Sequence, residues 1–119
     1  MIALVKEGLS VTVFLEGGTT SRLEIISDIP PGKICYWFEQ VDMLRAKKVL
    51  GDKVCIMGNV PLSMLATGTP EEIRAYCKKL IDIMGKEGGF ILAPSGGTWD
   101  ARVENVKAMI DFTKEYGVC

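Results

Sequence analysis

KVCIMGNVPLSMLATGTPEE, Lys53 to Glu72, is the stretch whose reading decides the fold. Its first five residues, KVCIM, read as a buried strand. A sharp loop, Gly58-Asn59-Val60-Pro61, follows. A helix start comes next, with Thr69 as N-cap, Pro70 at the first helical position and Glu72 three residues past the cap. This is a capping box, with proline where its missing N–H costs nothing. A strand, a glycine-bearing loop and a capped helix make one unit of a parallel α/β fold. In such folds the loops at the carboxyl ends of the strands carry the chemistry.

Outward from this unit, the same pattern repeats. Upstream, VTVFL (11–15) is a strand, Glu16 to Thr20 its loop, and SRLEIISD (21–28) a short helix stopped by Pro30-Pro31-Gly32. KICYWF (33–38) is a second strand, and its unbroken apolarity suits a strand covered on both faces. Glu39 to Asp42 is the loop after it, and MLRAKKVL (43–50) a helix ending at Gly51. Downstream of Glu72 a helix runs over about 71–87, with Ile73, Tyr76, Cys77, Leu80, Ile81 and Met84 at helical spacing. FILA (90–93) is the fourth strand and Pro94 to Thr98 its loop. The last helix spans about 103–116 before Gly117. IALVKEGL (2–9) reads as the tail of a preceding helix. The chain is therefore α/β, with four consecutive βα units in one domain, 1–119. A (β/α)8 barrel takes about 250 residues, so 119 residues correspond to half of one, and a start inside a helix suits a piece of a longer barrel.

Composition narrows the function classes. The formal net charge of -1 offers no basic field to a nucleic acid. No run of about 18 apolar residues is present to span a membrane. The apolar N-terminus is interrupted by Lys6 and Glu7, unlike a signal peptide, so a cytoplasmic protein is expected. There is no histidine. Ser-His-Asp and Cys-His mechanisms are thereby excluded within the chain, as is any imidazole-bound zinc. Acid–base work falls to Asp, Glu, Tyr, Lys or Cys. Cys35, Cys55, Cys77 and Cys119 have no metal-like spacing and read as reduced thiols, the first three buried as small hydrophobes.

The segments LGDKVCIMGNVPLSMLATGTPEEIRAYCKKLI, GGFILAP and ENVKAMIDFTKEYG, in that order, resemble the C-terminal half of the uroporphyrinogen decarboxylase superfamily. That superfamily holds the decarboxylase of haem biosynthesis and the cobalamin- or corrinoid-dependent methyltransferases of one-carbon metabolism. The resemblance covers essentially the whole chain. It implies a TIM barrel with its active site at the carboxyl ends of the strands, and it places Glu16, Glu39, Asp42, Asn59 and Ser95 at or near that rim. The loop reading of the residues agrees.

The departures from the family pattern bear on chemistry. Zinc-dependent methyltransferases of the superfamily carry His-x-Cys-Gly where this chain has Leu15-Glu16-Gly17-Gly18, and a further Cys where it has Ser95-Gly96-Gly97. The expected metal ligands are missing, so no metal site is assigned. The decarboxylases carry a histidine near the last loop, which is missing too, and their arginine-rich clamp and key aspartate lie in the other half of the barrel. Phe14-Leu15-Glu16-Gly17-Gly18 is similar to a zinc-less branch associated with corrinoid methyl transfer.

Each candidate residue has a bland alternative. Glu16, before two glycines, is the candidate catalytic group: it can bind a cation or an amine or act as a general base, against a solvated loop carboxylate. Glu39 and Asp42 are candidate substrate ligands, with Asp42 most simply an N-cap. Asn59 either orders neighbouring loops or contacts a ligand. Ser95 has no base to activate it. Gly96-Gly97 can present N–H groups to an anion at a helix start or form a plain turn. Trp99, in the last loop, can stack on a planar ligand, whereas Trp37 reads as core.

The favoured expectation is part of a corrinoid-linked methyltransferase lacking the usual zinc ligands. The alternatives are a piece of a uroporphyrinogen decarboxylase and a catalytically inactive, self-associating half-barrel. The expected cofactor of the parent enzyme is a corrinoid. Expected partners are an N-terminal half-barrel or a second copy of the chain, and a corrinoid protein. Two open sheet edges and one bare apolar face motivate the oligomer.

Overall fold

The computed structural model describes residues 6–29, 32, 34–86, 88–97 and 100–117. Four strands form one sheet: β1 (Val11–Gly18), β2 (Ile34–Gln40), β3 (Cys55–Val60) and β4 (Phe90–Pro94). Every pairing is parallel and the spatial order is β1-β2-β3-β4. Between them lie a 3-10 turn (Thr20–Arg22) running into α1 (Leu23–Ile26), then α2 (Met43–Leu50), α3 (Leu62–Thr67) and α4 (Pro70–Met84), and α5 (Val103–Tyr116) closes the chain. Strands in sequential order, joined by right-handed crossovers, put all their helices on one face. An open doubly wound sheet would instead reverse its strand order part-way. The four βα units therefore take the arrangement of half a TIM barrel.

Register separates the two faces. Val13, Tyr36, Ile56 and Phe90 form one transverse row, facing the helices. Tyr36, Phe38, Ile56 and Val60 are fully buried there, against Leu23, Leu50, Leu65, Ile73 and Cys77. Ile73, Cys77, Leu80 and Met84 of α4 are its buried stripe, spaced for one helical face. Phe14, Trp37, Met57 and Ile91 form the next row, on the face turned away from the helices. That row is open: Phe14 is 40% exposed and Ile91 47%.

Several sequence expectations change. β2 is covered on one face only: Ile34, Tyr36 and Phe38 are buried, while Cys35, Trp37 and Glu39 are half-buried. Gly58-Asn59-Val60, expected as a loop, continues β3, and Glu39 and Gln40 continue β2. Leu62–Thr67, to which the sequence reading assigns no element, is a short helix ended at Gly68. The first half of the expected helix over 2–9 lies outside the described residues. By contrast, α2 and α5 match the expected spans, and the capping box is present. Thr69 Oγ1 accepts the Glu72 N–H and Glu72 Oε1 accepts the Thr69 N–H, both at 3.3 Å. Among the described residues no helix is long and apolar enough to cross a membrane.

Candidate active site at the carboxyl ends of the strands

Parallel strands bring their carboxyl ends to one rim. Glu16 lies near the end of β1, Glu39 near the end of β2, Asn59 near the end of β3, and Ser95 immediately follows β4. Strand alternation puts Glu16, Glu39 and Asn59 on the open face, one step beyond the Phe14–Trp37–Met57–Ile91 row.

Hydrogen bonds lock the middle of this rim. Glu39 Oε1 accepts the Gly17 N–H at 2.9 Å. The Glu39 backbone carbonyl accepts from Asn59 Nδ2 at 3.3 Å. Asn59 is only 7% exposed, and its Oδ1 has no hydrogen-bond partner among the described residues. A buried amide oxygen left without a donor costs free energy on the order of 1–3 kcal/mol, which a ligand N–H or O–H would recover. Gly58 sets the backbone here. Its φ is +133°, and a Cβ at this position would stand 2.7 Å from the Phe38 carbonyl oxygen.

Asp42 accepts the Arg45 N–H at 3.2 Å as the N-cap of α2. Its own N–H donates to Thr20 Oγ1 at 2.9 Å. The cap reading is thus satisfied, and the second carboxylate oxygen is left for other contacts. Ser95 is buried and donates its N–H to the Val60 carbonyl at 2.9 Å. Gly96-Gly97 does not open a helix, because α5 begins at Val103 with Arg102 as its N-cap. An anion at a helix start is therefore not available at these glycines. Trp99 lies outside the described residues.

The aromatic floor is the feature the sequence reading missed. Trp37 is not core. Its ring lies 4.8 Å from the Phe14 ring at an interplanar angle of 56°. Its Nε1–H donates to the Pro94 carbonyl at 2.8 Å, so the indole reaches from β2 across β3 to β4. Period-two alternation from Glu39 was the available signal: a residue two before a rim carboxylate shares its face. Among the described residues no group of three or more His, Cys, Asp or Glu side chains is placed to hold a metal ion.

Sequential parallel strands, helices on one side, and polar residues above an aromatic floor at the carboxyl ends define a half-barrel of the TIM type. The family model described as uroporphyrinogen decarboxylase (URO-D) matches residues 1–116, so the chain belongs to that family. Curated relatives agree. A protein named uroporphyrinogen decarboxylase from Psychromonas ingrahamii is 34% identical over 109 residues, covering 90% of this chain and 30% of that protein. One of the same name from Chlorobium phaeovibrioides is 33% identical over 79 residues, covering 63% of this chain and 22% of that protein. The chain thus spans between a fifth and a third of the length of these relatives.

Proposed function

We propose that the chain supplies one side of the catalytic mouth of a URO-D-family barrel and that this mouth binds a flat macrocycle for corrinoid-linked methyl transfer. The observation that carries this reading is the solvent-open Phe14–Trp37 floor beneath Glu16, Glu39 and Asn59. Aromatic faces bind planar π-systems by stacking. Asn59 Oδ1 accepts a hydrogen from the ligand, and Glu16 acts as general base or holds a cationic group. Ser95 lines the β4 side, and Asp42 holds the start of α2. The residues fit a corrinoid's flat face and polar edge, but the chain has no imidazole to ligate cobalt. When bound, the corrinoid supplies the methyl-carrying centre.

A second reading, tetrapyrrole decarboxylation, is supported by the names of the curated relatives. Two carboxylates on the rim weigh against it here, since they repel a polycarboxylate substrate. Titrating the protein with hydroxocobalamin and with uroporphyrin, followed by absorbance, separates the two. Cobalamin binding that weakens about tenfold in Asn59→Ala and Phe14→Ala supports the first reading. Binding of uroporphyrin alone supports the second, and binding of neither removes both.

We also propose that the open face is covered by a second half-barrel, either the family's N-terminal half or a second copy. Strand edges β1 and β4 run parallel, so a twofold along the barrel axis lets β4 of one copy pair with β1 of the other. A stable monomer at micromolar concentration in sedimentation would remove the second copy.

A further inference from the structure

The loop after β4 reaches back to both rings of the aromatic floor. Pro94, at the end of β4, accepts the Trp37 Nε1–H through its carbonyl at 2.8 Å. Ser95 ties the loop to β3 by donating its N–H to the Val60 carbonyl. Gly96 is buried, and a Cβ built on it would stand 3.3 Å from Leu62 Cδ1 and 3.8 Å from Phe14 Cζ. Phe14 belongs to β1, the opposite edge strand of the sheet. A residue that follows β4 thus lies one carbon away from the far end of the floor. Every group in this arrangement belongs to the chain itself, so it does not depend on what completes the barrel.

Backbone conformation does not require glycine here. Gly96 is not one of the positive-φ glycines, so its backbone suits any L-residue. What its missing side chain supplies is room beside Phe14. We propose that position 96 is a specificity-determining residue of the mouth: glycine keeps the Phe14 ring free for the flat face of a large planar ligand, and a larger side chain would exclude that ligand. This inference rests on the proposal that the Phe14–Trp37 floor binds a macrocycle. The Cβ direction points at Leu62 and Phe14. The first carbon fits if the tip of Leu62 yields slightly, since 3.8 Å to Phe14 is ordinary van der Waals contact. Each further carbon must displace Leu62 or Phe14, or lie over the ring that the ligand needs. Extra carbons in a close-fitting apolar site strain it, and one methylene changes ligand discrimination by about tenfold or more.

The test is a titration with hydroxocobalamin and with uroporphyrin, followed by absorbance, in wild type, Gly96→Ala, Gly96→Leu, Leu62→Ala and the double variant Gly96→Leu with Leu62→Ala. Affinity for the macrocycle that wild type binds is expected to fall in the order Gly, Ala, Leu at position 96, by about tenfold or more at Leu. Leu62→Ala opens space for the new side chain, so the double variant should regain most of that loss. A merely destabilising change would instead be worsened by a second truncation, which makes the rescue diagnostic. Circular dichroism confirms folding, and Gly96→Val replaces Gly96→Leu if the latter does not fold. Equal affinities of wild type and Gly96→Leu overturn the inference and leave the macrocycle reading standing, as does a loss that Leu62→Ala fails to rescue. Binding of neither macrocycle by wild type overturns both.

Discussion

The Glu39 carboxylate accepts the Gly17 N–H at 2.9 Å, tying the end of β2 to the rim of β1. The same residue's carbonyl accepts from Asn59, so one residue braces three strands. Replacing it by alanine removes a charged acceptor from a half-buried N–H. Glu39→Ala is expected to lower the free energy of urea unfolding by about 1–2 kcal/mol, and Glu39→Gln by less because its amide oxygen still accepts. Equal losses in the two variants would show that the Gly17 bond contributes little.

Gly58 is expected to be intolerant of any side chain. Two costs coincide: an L-residue is strained at φ +133°, and the added Cβ meets the Phe38 carbonyl oxygen at 2.7 Å. Backbone is the obstacle, so no side-chain rotation relieves it. Gly58→Ala should destabilise the fold by roughly 2–3 kcal/mol. Gly89→Ala, in open space but at φ +70°, should cost less. Chemical denaturation of both variants checks the order, and the reverse order would refute it.

How far the chain is legible in its sequence follows from length and periodicity. The helices α2 and α5 were readable because eight or more residues repeat an apolar stripe between clear stops. The start of α4 was readable because Thr69, Pro70 and Glu72 each have a local physical role. Helix α3 was not, because six residues are too few to show a period and Pro61 offers no side-chain cap. An unbroken apolar run made β2 look covered on both faces. Its open face is apolar because it is the inner face of a half-barrel, a fact of topology rather than of local pattern. At the rim, Glu16, Glu39, Asn59 and Ser95 read as loop residues; the first three instead lie in the last residues of their strands and Ser95 follows β4, so only their place at the carboxyl ends was legible. The role of Trp37 was lost, since its partner Pro94 is 57 residues away.

Asn105 connects helices rather than serving the rim. It is fully buried, and its Nδ2 donates to the Leu65 carbonyl at 3.0 Å and to the Gly68 carbonyl at 2.9 Å. These carbonyls belong to the last turn and C-cap of α3, where the helix itself supplies no further N–H donors. The Leu65 carbonyl also accepts the Arg102 N–H at 3.0 Å, so Asn105→Ala strands the Gly68 carbonyl and leaves a small cavity, with an expected loss of about 2–4 kcal/mol. Thermal melting checks it, and the same change should leave ligand binding by the remaining folded protein unaltered. A variant that melts like wild type would show that water replaces the amide.

Alkaline pH is expected to destabilise the fold through its thiols. Burial, with the neighbouring Cys55 thiol adding to it, pushes Cys35 up to about 12 from 9.0. Burial alone pushes Cys77 up to about 11. The folded state therefore holds these protons more tightly than the unfolded chain. Stability is fully present below the unfolded value, because both states are then protonated. Above it the unfolded chain gives up protons that the folded chain keeps, so the slope of stability against pH is negative. The fall begins near pH 9 and continues to about pH 11 for Cys77 and about pH 12 for Cys35. Burial raises Tyr36 as well, adding a loss above its ordinary value of 10.0. Urea unfolding at about pH 8 and about pH 10.5 should show a drop in wild type and a smaller drop in Cys77→Ala, whatever that variant's baseline stability. An unchanged slope in Cys77→Ala would assign the alkaline loss to other groups.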